Sequence, residues 1–205
     1  MVSGGVRALP ARLGEGQGWL TRAVHAWHGL AFAHAESVAA CVPELPPGST
    51  ILALTADGGA LLDLLTRRDP TLRPLEPEEV LADDAPPDAP RPDVVLVADV
   101  LHHVAPRDRE RYLARLRERA ASEALFIVKE FAPGGVRGRL GWLADCMLSG
   151  EPVRFLNPPE LRGLAARALP GLAAFWTPLY EIEPPNYCLL FRRLRRDRIA
   201  AGLGA

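Results

Sequence analysis

The stretch Asp93-Val-Val-Leu-Val-Ala-Asp99, followed by Val100-Leu-His-His-Val104, decides the fold class. Its five central residues are apolar with no polar alternation, which is typical of a strand buried on both faces of a parallel sheet. The strand ends at an acid, and two histidines follow it. Because ligands of open α/β sheets bind beyond the carboxyl ends of the strands, this stretch also predicts a site at that edge.

Apolar runs at residues 49–55 and 124–129 predict two further buried strands. A proline confines the short strand predicted at 72–76 to a sheet edge, and a closing pair is predicted at 175–181 and 187–193. Hydrophobic spacing of three and four predicts helices that alternate with these strands, at residues 19–42, 60–68, 106–121, 137–148 and 158–169. This alternation indicates an α/β fold with a mostly parallel sheet and helices on both faces.

Composition excludes several classes of protein. With 205 residues, 48% of them hydrophobic, the chain has enough apolar material for one folded domain. The net charge of −1 gives no reason to expect a nucleic-acid partner. The three cysteines form no CxxC pair, so we expect neither a zinc site nor a disulfide framework.

The ends of the chain differ from its middle. We expect a flexible N-terminus at 1–18, a single domain at 19–193 and a basic C-terminal tail at 194–205. Residues 1–18 lack the apolar core of a signal peptide, and residues 19–42 are too polar to span a bilayer. These features predict a cytoplasmic protein without a membrane span. The sequence indicates no oligomeric state.

In their order along the chain, these features resemble the class I S-adenosylmethionine-dependent methyltransferases of the small-molecule type. The resemblance rests on residues 93–104, on the strand at 124–130 and on Asn157-Pro-Pro-Glu-Leu-Arg-Gly-Leu164, and it covers residues 19–193. It implies a Rossmann-like, mostly parallel sheet with a C-terminal antiparallel hairpin. It also implies S-adenosylmethionine as the cofactor and a small molecule as the substrate.

The cofactor turn departs from the family pattern. The family's first strand ends in an acid and a GxGxG turn, whereas here the acid position is Ala53 and the glycine positions are Thr55, Asp57 and Gly59. A Cβ at such positions fills the cofactor's space or forbids the required φ. A shifted register adds one glycine, Gly58. The resemblance implies these cofactor-binding residues: Leu54, Thr55, Asp57, Gly58, Gly59, Glu76 and Asp99.

A second departure is length. Only sixteen residues separate Glu76, the acid matched to the ribose hydroxyls, from Asp93. A βαβ unit takes about 30 residues or more. A helix or a strand of the family is therefore shortened or absent between these two positions.

The histidines that follow the central strand are the candidate catalytic residues. His102 or His103 can act as a general base because the imidazole pKa lies near neutrality, and the alternative for either is a structural role. The spacing Asp99-x-x-His102-His103 resembles a metal-binding variant of the family, but a histidine replaces its middle acid, so we expect no metal.

Three further residues are candidate substrate contacts. Lys129, the chain's one lysine, could bind an anionic group of the substrate or form an ordinary ion pair at the strand end. Trp142 and Tyr180 lie in segments that line the substrate pocket in the family, and their alternative is core packing.

Two functions are consistent with these residues. The first is methyl transfer from S-adenosylmethionine to a small molecule, with a histidine removing the proton. The second is a non-methylating paralogue that kept the fold, lost the cofactor and acts as a binding partner or with a repurposed pocket. The histidine segment favours the first, and the degenerate glycine motif favours the second.

Overall fold

A computed structural model describes residues 35–55, 59–82, 86, 88–132, 135–149, 153–177 and 186–193. The helices are α1 (Ala35–Cys41), α2 (Ala60–Arg68), α3 (Pro77–Leu81), α4 (Arg109–Arg119), α5 (Gly135–Ser149) and α6 (Pro158–Ala168). The strands are β1 (Thr50–Thr55), β2 (Arg73–Leu75), β3 (Val94–Ala98), β4 (Leu125–Phe131), β5 (Leu172–Thr177) and β6 (Asn186–Arg193). The parts of the predicted first helix before residue 35 and of the last loop at 178–185 lie outside the described residues.

The six described strands form one sheet in the order β2-β1-β3-β4-β6-β5. The first four are parallel, with Leu52 beside Val95 and Val95 beside Phe126. Strand β6 runs antiparallel to both of its neighbours, β4 and β5. The structure thus confirms the mostly parallel α/β sheet and its C-terminal antiparallel hairpin.

Alternation along the strands builds a core on each face of the sheet. Val95 and Val97 pack with residues of α4 and α6 on one face, and Val94 and Leu96 pack with residues of α1 and α2 on the other. Since successive strand residues point to opposite faces, a strand covered on both sides is apolar throughout. This explains why β3 contains no polar residue.

The segment between β2 and β3 is shortened, as the sixteen-residue spacing predicts. Its described part contains the five-residue helix α3 and no strand. Strand β2 lies at the edge of the sheet, as Pro74 requires, because a proline has no backbone N–H to donate.

Helix α6 begins where the sequence indicates. The Asn157 side chain accepts a hydrogen bond from the Glu160 backbone N–H, and the Glu160 carboxylate accepts one from the Asn157 N–H. This capping box and the proline in the first turn fix the start of the helix.

Candidate functional site

The turn after β3 holds the candidate histidines. Asp99 has a φ of 57°, the left-handed region that few residues other than glycine adopt, and is buried. Its N–H donates to the Lys129 carbonyl at 3.0 Å. A 3-10 turn over Leu101–His103 follows immediately. The turn reverses the chain at the carboxyl edge of the sheet and places His102 inward, where it is 2% exposed.

Glu130, near the end of β4, holds this turn from the adjacent strand. Its Oε2 lies 2.7 Å from His102 Nδ1, and its Oε1 accepts the Leu101 N–H at 2.8 Å. Both side chains of the pair are at most 1% exposed. Each carboxylate oxygen therefore has a partner on the turn, which orients the imidazole ring.

Lys129 and Asp99 form a second buried pair beside the first. The Lys129 Nζ lies 2.7 Å from Oδ1 and 2.5 Å from Oδ2 of Asp99. Burial raises the pKa of Asp99, and the Lys129 ammonium opposes that shift. Lys129 was predicted either to bind an anionic group of the substrate or to form an ion pair at the strand end, and the described residues show the ion pair. The short polar side chain of Asp99 and these bonds offset the cost of its left-handed backbone.

Asp99, His102 and Glu130 also form a buried group whose ligand atoms lie within 4.8 Å of one another. Such a set could hold a divalent cation in principle. The Lys129 ammonium, however, already contacts both oxygens of Asp99. A cation at this group would face that positive charge at close range, so the donor set does not favour a metal.

Arg109 corrects one expectation. The arginines and acids that alternate over residues 107–119 predict a solvated helix face, yet Arg109 is buried. Its guanidinium donates to the carbonyls of Val104 at 2.9 Å and Arg154 at 2.5 Å. The Arg154 N–H in turn donates to the His102 carbonyl at 3.1 Å. Arg109 thus links the loop before α6 to the turn that carries His102. Burial lowers the pKa of the Arg109 guanidinium.

An aromatic group borders the histidine pair. The Phe155 ring meets His102 edge to face with centroids 5.1 Å apart, and Phe131 lies 5.1 Å from Phe155. His103 is half-buried, and its ring lies 4.3 Å from that of His102. Trp142, on α5, donates its Nε1–H to the Val153 carbonyl and leaves 45% of its surface exposed. Trp142 is therefore joined to the segment that also contains Phe155.

The cofactor half of the predicted site lies on β1 and β2. Ile51 and Leu52 are fully buried, whereas Leu54 and Thr55 are half-buried, so the strand opens toward its carboxyl end. Gly59 has a φ of 97°, which explains the glycine, and a Cβ there would have no atom within 4 Å. Glu76 follows the adjacent parallel strand and is exposed.

Three described features are compatible with a nucleoside cofactor: the half-buried end of β1, room for a Cβ at Gly59 and the exposed carboxylate that follows β2. The remaining predicted site residues do not add to this cofactor half. Asp57, Gly58 and Tyr180 lie outside the described residues. Asp99 lies at the same edge, with its carboxylate bound to Lys129.

The contacts of two residues that build the site were not predicted from the sequence. Glu130 is separated from His102 by 28 positions, and Arg109 from Arg154 by 45. Glu130 is adjacent to Lys129 at the end of the predicted strand, and nothing in the sequence indicates that it contacts His102. Arg109 is one of several arginines on a charged helix, and only tertiary contacts distinguish it from the others.

Known proteins resemble this chain in structure only. No protein-family model and no curated protein sequence matches it. Human N-acetylserotonin methyltransferase in complex with SAM superimposes with a TM-score of 0.62 at 16% identity, covering 85% of this chain and 56% of that one. An O-methyltransferase family 2 protein from Planctomyces limnophilus in complex with apigenin gives 0.58 at 15% identity, covering 85% and 62%.

An O-methyltransferase family protein from Burkholderia thailandensis gives a TM-score of 0.60 at 16% identity, covering 86% of this chain and 61% of that one. This chain therefore spans less than two thirds of the length of the structures it matches. At such identities the likeness establishes architecture. The chain has the fold of the class I S-adenosylmethionine-dependent small-molecule methyltransferases.

Proposed function

We propose that the chain transfers a methyl group from S-adenosylmethionine to a small molecule, with His102 as the general base. One observation carries this proposal: the buried His102–Glu130 pair lies at the carboxyl edge of a methyltransferase-type sheet. That edge is where ligands bind in open α/β sheets. His103, the other candidate, is half-buried, and its ring lies 4.3 Å from that of His102.

The pair has a defined proton arrangement. An ionised carboxylate only accepts hydrogen bonds, so Nδ1 of His102 carries the hydrogen that Glu130 Oε2 accepts. The lone pair then belongs to Nε2, which is the atom that would take a proton from the substrate. Glu130 stabilises the imidazolium formed in that step, because its negative charge lies 2.7 Å from the ring nitrogen.

The proposed cofactor residues follow β1 and β2, and the proposed base follows β3, the strand beside β1. Leu54, Thr55 and Gly59, with Asp57 and Gly58 between them, would hold the methionine end, and Glu76 would accept hydrogen bonds from the ribose hydroxyls. When bound, S-adenosylmethionine supplies a methyl group on a positively charged sulfur. The chain's own contribution is to hold the acceptor in line at short range, which accounts for much of the acceleration in such a displacement.

The proposed substrate is a small molecule with an ionisable hydroxyl. The exposed Trp142 and, from the sequence, Tyr180 are the proposed contacts for a flat substrate. Lys129 is also a proposed substrate-site residue, and it would act through Asp99, to whose carboxylate it is bound. The protein is proposed to be cytoplasmic, as its sequence predicts. No described helix is long and apolar enough to cross a membrane.

Methyl transfer to a panel of phenols, measured with an isotopically labelled donor, tests this function. His102→Asn and His103→Asn form a matched pair, because the change is the same at adjacent positions. We expect His102→Asn to lower the turnover rate by about a hundredfold or more, the usual contribution of a general base. His103→Asn should stay within about threefold of the parent, since a structural neighbour contributes little to the barrier. Equal losses would contradict the assignment.

A second candidate, a paralogue that no longer binds the cofactor, is favoured by two observations. Asp99, a predicted cofactor ligand, has both carboxylate oxygens bound by Lys129. Thr55 stands where the family has a glycine. Such a protein would show no affinity for the donor or its demethylated product, so a binding measurement separates the two candidates.

A further inference from the structure

Asn186 is the first residue of β6, and it lies at the carboxyl edge of the sheet. Because β6 runs antiparallel to β4, its first residue pairs with Phe131, the last residue of β4. Directly opposite residues in such a pair have their side chains on the same face, with Cβ atoms about 5 Å apart. The Asn186 side chain therefore lies beside Phe131, at the edge where ligands of open α/β sheets bind.

The side-chain oxygen of Asn186 is buried without a hydrogen bond. The residue is 6% exposed, and in the part of the chain that the structure describes its Oδ1 has no hydrogen-bond partner. A buried acceptor left in this state destabilises a fold, and the great majority of buried polar groups are bonded. An acceptor at a ligand-binding edge is explained if its partner is a group of the ligand.

Neighbouring buried polar groups at this edge have partners within the chain. Glu130, on the strand beside β6, accepts the Leu101 N–H at 2.8 Å. Tyr187 follows Asn186 and points to the opposite face of the sheet, where its hydroxyl donates to the Leu156 carbonyl at 2.9 Å. The unbonded oxygen is thus a local feature of Asn186 and does not reflect a loosely packed edge.

An aromatic group connects Asn186 with the proposed base. The Phe155 ring lies 5.1 Å from the Phe131 ring and 5.1 Å from the His102 ring. Asn186, Phe131, Phe155 and His102 therefore form a continuous series of neighbours at the carboxyl edge. A flat molecule that packs on these rings with one hydroxyl at His102 extends toward Asn186.

We propose that Asn186 is a substrate-specificity residue whose Oδ1 accepts a hydrogen bond from a second polar group of a flat substrate. The proposal rests on the proposed function for the placement of the reacting hydroxyl at His102. Because the amide oxygen only accepts hydrogen bonds, the second group must carry an O–H or an N–H. A molecule without that donor leaves the buried oxygen unbonded, and such a site discriminates strongly against it.

Nuclear magnetic resonance of the full chain tests the contact directly. The chain has only two asparagines, Asn157 and Asn186, so isotopic labelling of asparagine gives two side-chain amide groups to follow. Asn157 is held in the capping box of α6 and serves as the internal reference. We expect 2,6-dihydroxynaphthalene to shift the Asn186 amide signals by more than their linewidth and to leave those of Asn157 in place. Unchanged Asn186 signals at millimolar diol would overturn the proposal.

This measurement needs no methyl donor, so it separates the proposal from the proposed function. A shift at Asn186 in a protein that forms no methylated product would uphold the contact and reject the reaction. Methylation of the diol with the Asn186 signals unchanged would reject the contact alone.

A matched pair of probes tests the class of ligand. 2-Naphthol has the same rings as 2,6-dihydroxynaphthalene and lacks the second hydroxyl. In calorimetric titrations we expect the parent protein to bind the diol about tenfold more tightly than the naphthol, and Asn186→Leu to bind both equally. Equal affinities in the parent, or the same preference in Asn186→Leu, would contradict the proposal.

The stability of the free protein provides a test without any ligand. Asn186→Leu replaces the amide by an apolar group of similar size, so we expect the Tm to rise by about 2–4 °C. Asn157→Leu makes the same change at a helix cap and should lower the Tm by about 2–4 °C. A Tm that falls equally in both variants would show that the Asn186 amide has a structural partner, and would overturn the proposal.

Discussion

Lys129 and Asp99 form the costliest pair in the site to break. Lys129→Met leaves the Asp99 carboxylate buried without its cation, so we expect the free energy of unfolding to fall by about 3–5 kcal/mol. Adding Asp99→Asn should recover most of that loss, because asparagine keeps the left-handed backbone and carries no charge. Urea unfolding of the two variants measures both effects.

The control for this cycle is an exposed ion pair. Arg193 and Glu123 lie 3.2 Å apart with 59% and 55% of their side chains exposed. Arg193→Met should change the free energy of unfolding by less than about 1 kcal/mol. A Lys129→Met variant as stable as this control would show that the buried pair contributes nothing.

Tyr112, on α4, gives a pH dependence with a definite sign. Burial raises the pKa of Tyr112 to about 12, above the value of about 10 for an exposed phenol. The folded state thus holds the proton more tightly, and the resulting stability is present below pH 10 and lost toward pH 12. We expect the wild type to lose up to about 1.4 kcal/mol per pH unit in that window, relative to Tyr112→Phe. The free energy of unfolding is measured by urea unfolding between pH 10 and pH 12. The same pH dependence in both proteins would contradict the burial of Tyr112.

At the scale of elements, two helix glycines have opposite roles. A methyl group at Gly141 on α5 would lie 2.8 Å from the Phe131 ring, whereas one at Gly163 on α6 would lie 3.8 Å from the flexible end of Arg167. We expect Gly141→Ala to destabilise the fold by about 1–3 kcal/mol through this clash. Gly163→Ala should stabilise it by about 0.5–1 kcal/mol, because alanine is the better helix former. Thermal unfolding compares them, and stabilisation by both would show that α5 does not approach Phe131.

The sequence predicts the elements because their signals are local. The apolar run of β3 and the Asn157–Glu160 cap are each readable within a few residues, and both appear where expected. The contacts that assemble the site are not local. Glu130 meets His102 across 28 positions, and no periodicity reports which side chains meet at adjacent strand ends. The burial of Arg109 was missed for the same reason.

At the scale of the whole molecule, the strand order explains the shape of the site. Strand β1 lies between β2 and β3, so Glu76 and the β1 turn stand on one side of β3 and the Glu130 strand on the other. The proposed cofactor positions and the carboxylate that holds the proposed base thus flank one central strand. In the described part of the chain no strand lies beyond β2, so this side of the sheet ends at β2. The spacing predicted that a helix or a strand is shortened or absent between Glu76 and Asp93, and the described part of that segment contains a five-residue helix and no strand.

Calorimetric titration of the full chain with S-adenosylhomocysteine tests the central claim most directly. We predict saturable binding with a Kd of about 10 μM, weakened about tenfold or more in Glu76→Ala, which loses the carboxylate proposed to hold the ribose. Glu78→Ala, an exposed acid two positions further on, should bind as the parent does. The absence of any binding at millimolar ligand would contradict the account and leave a protein that retains only the architecture of a methyltransferase.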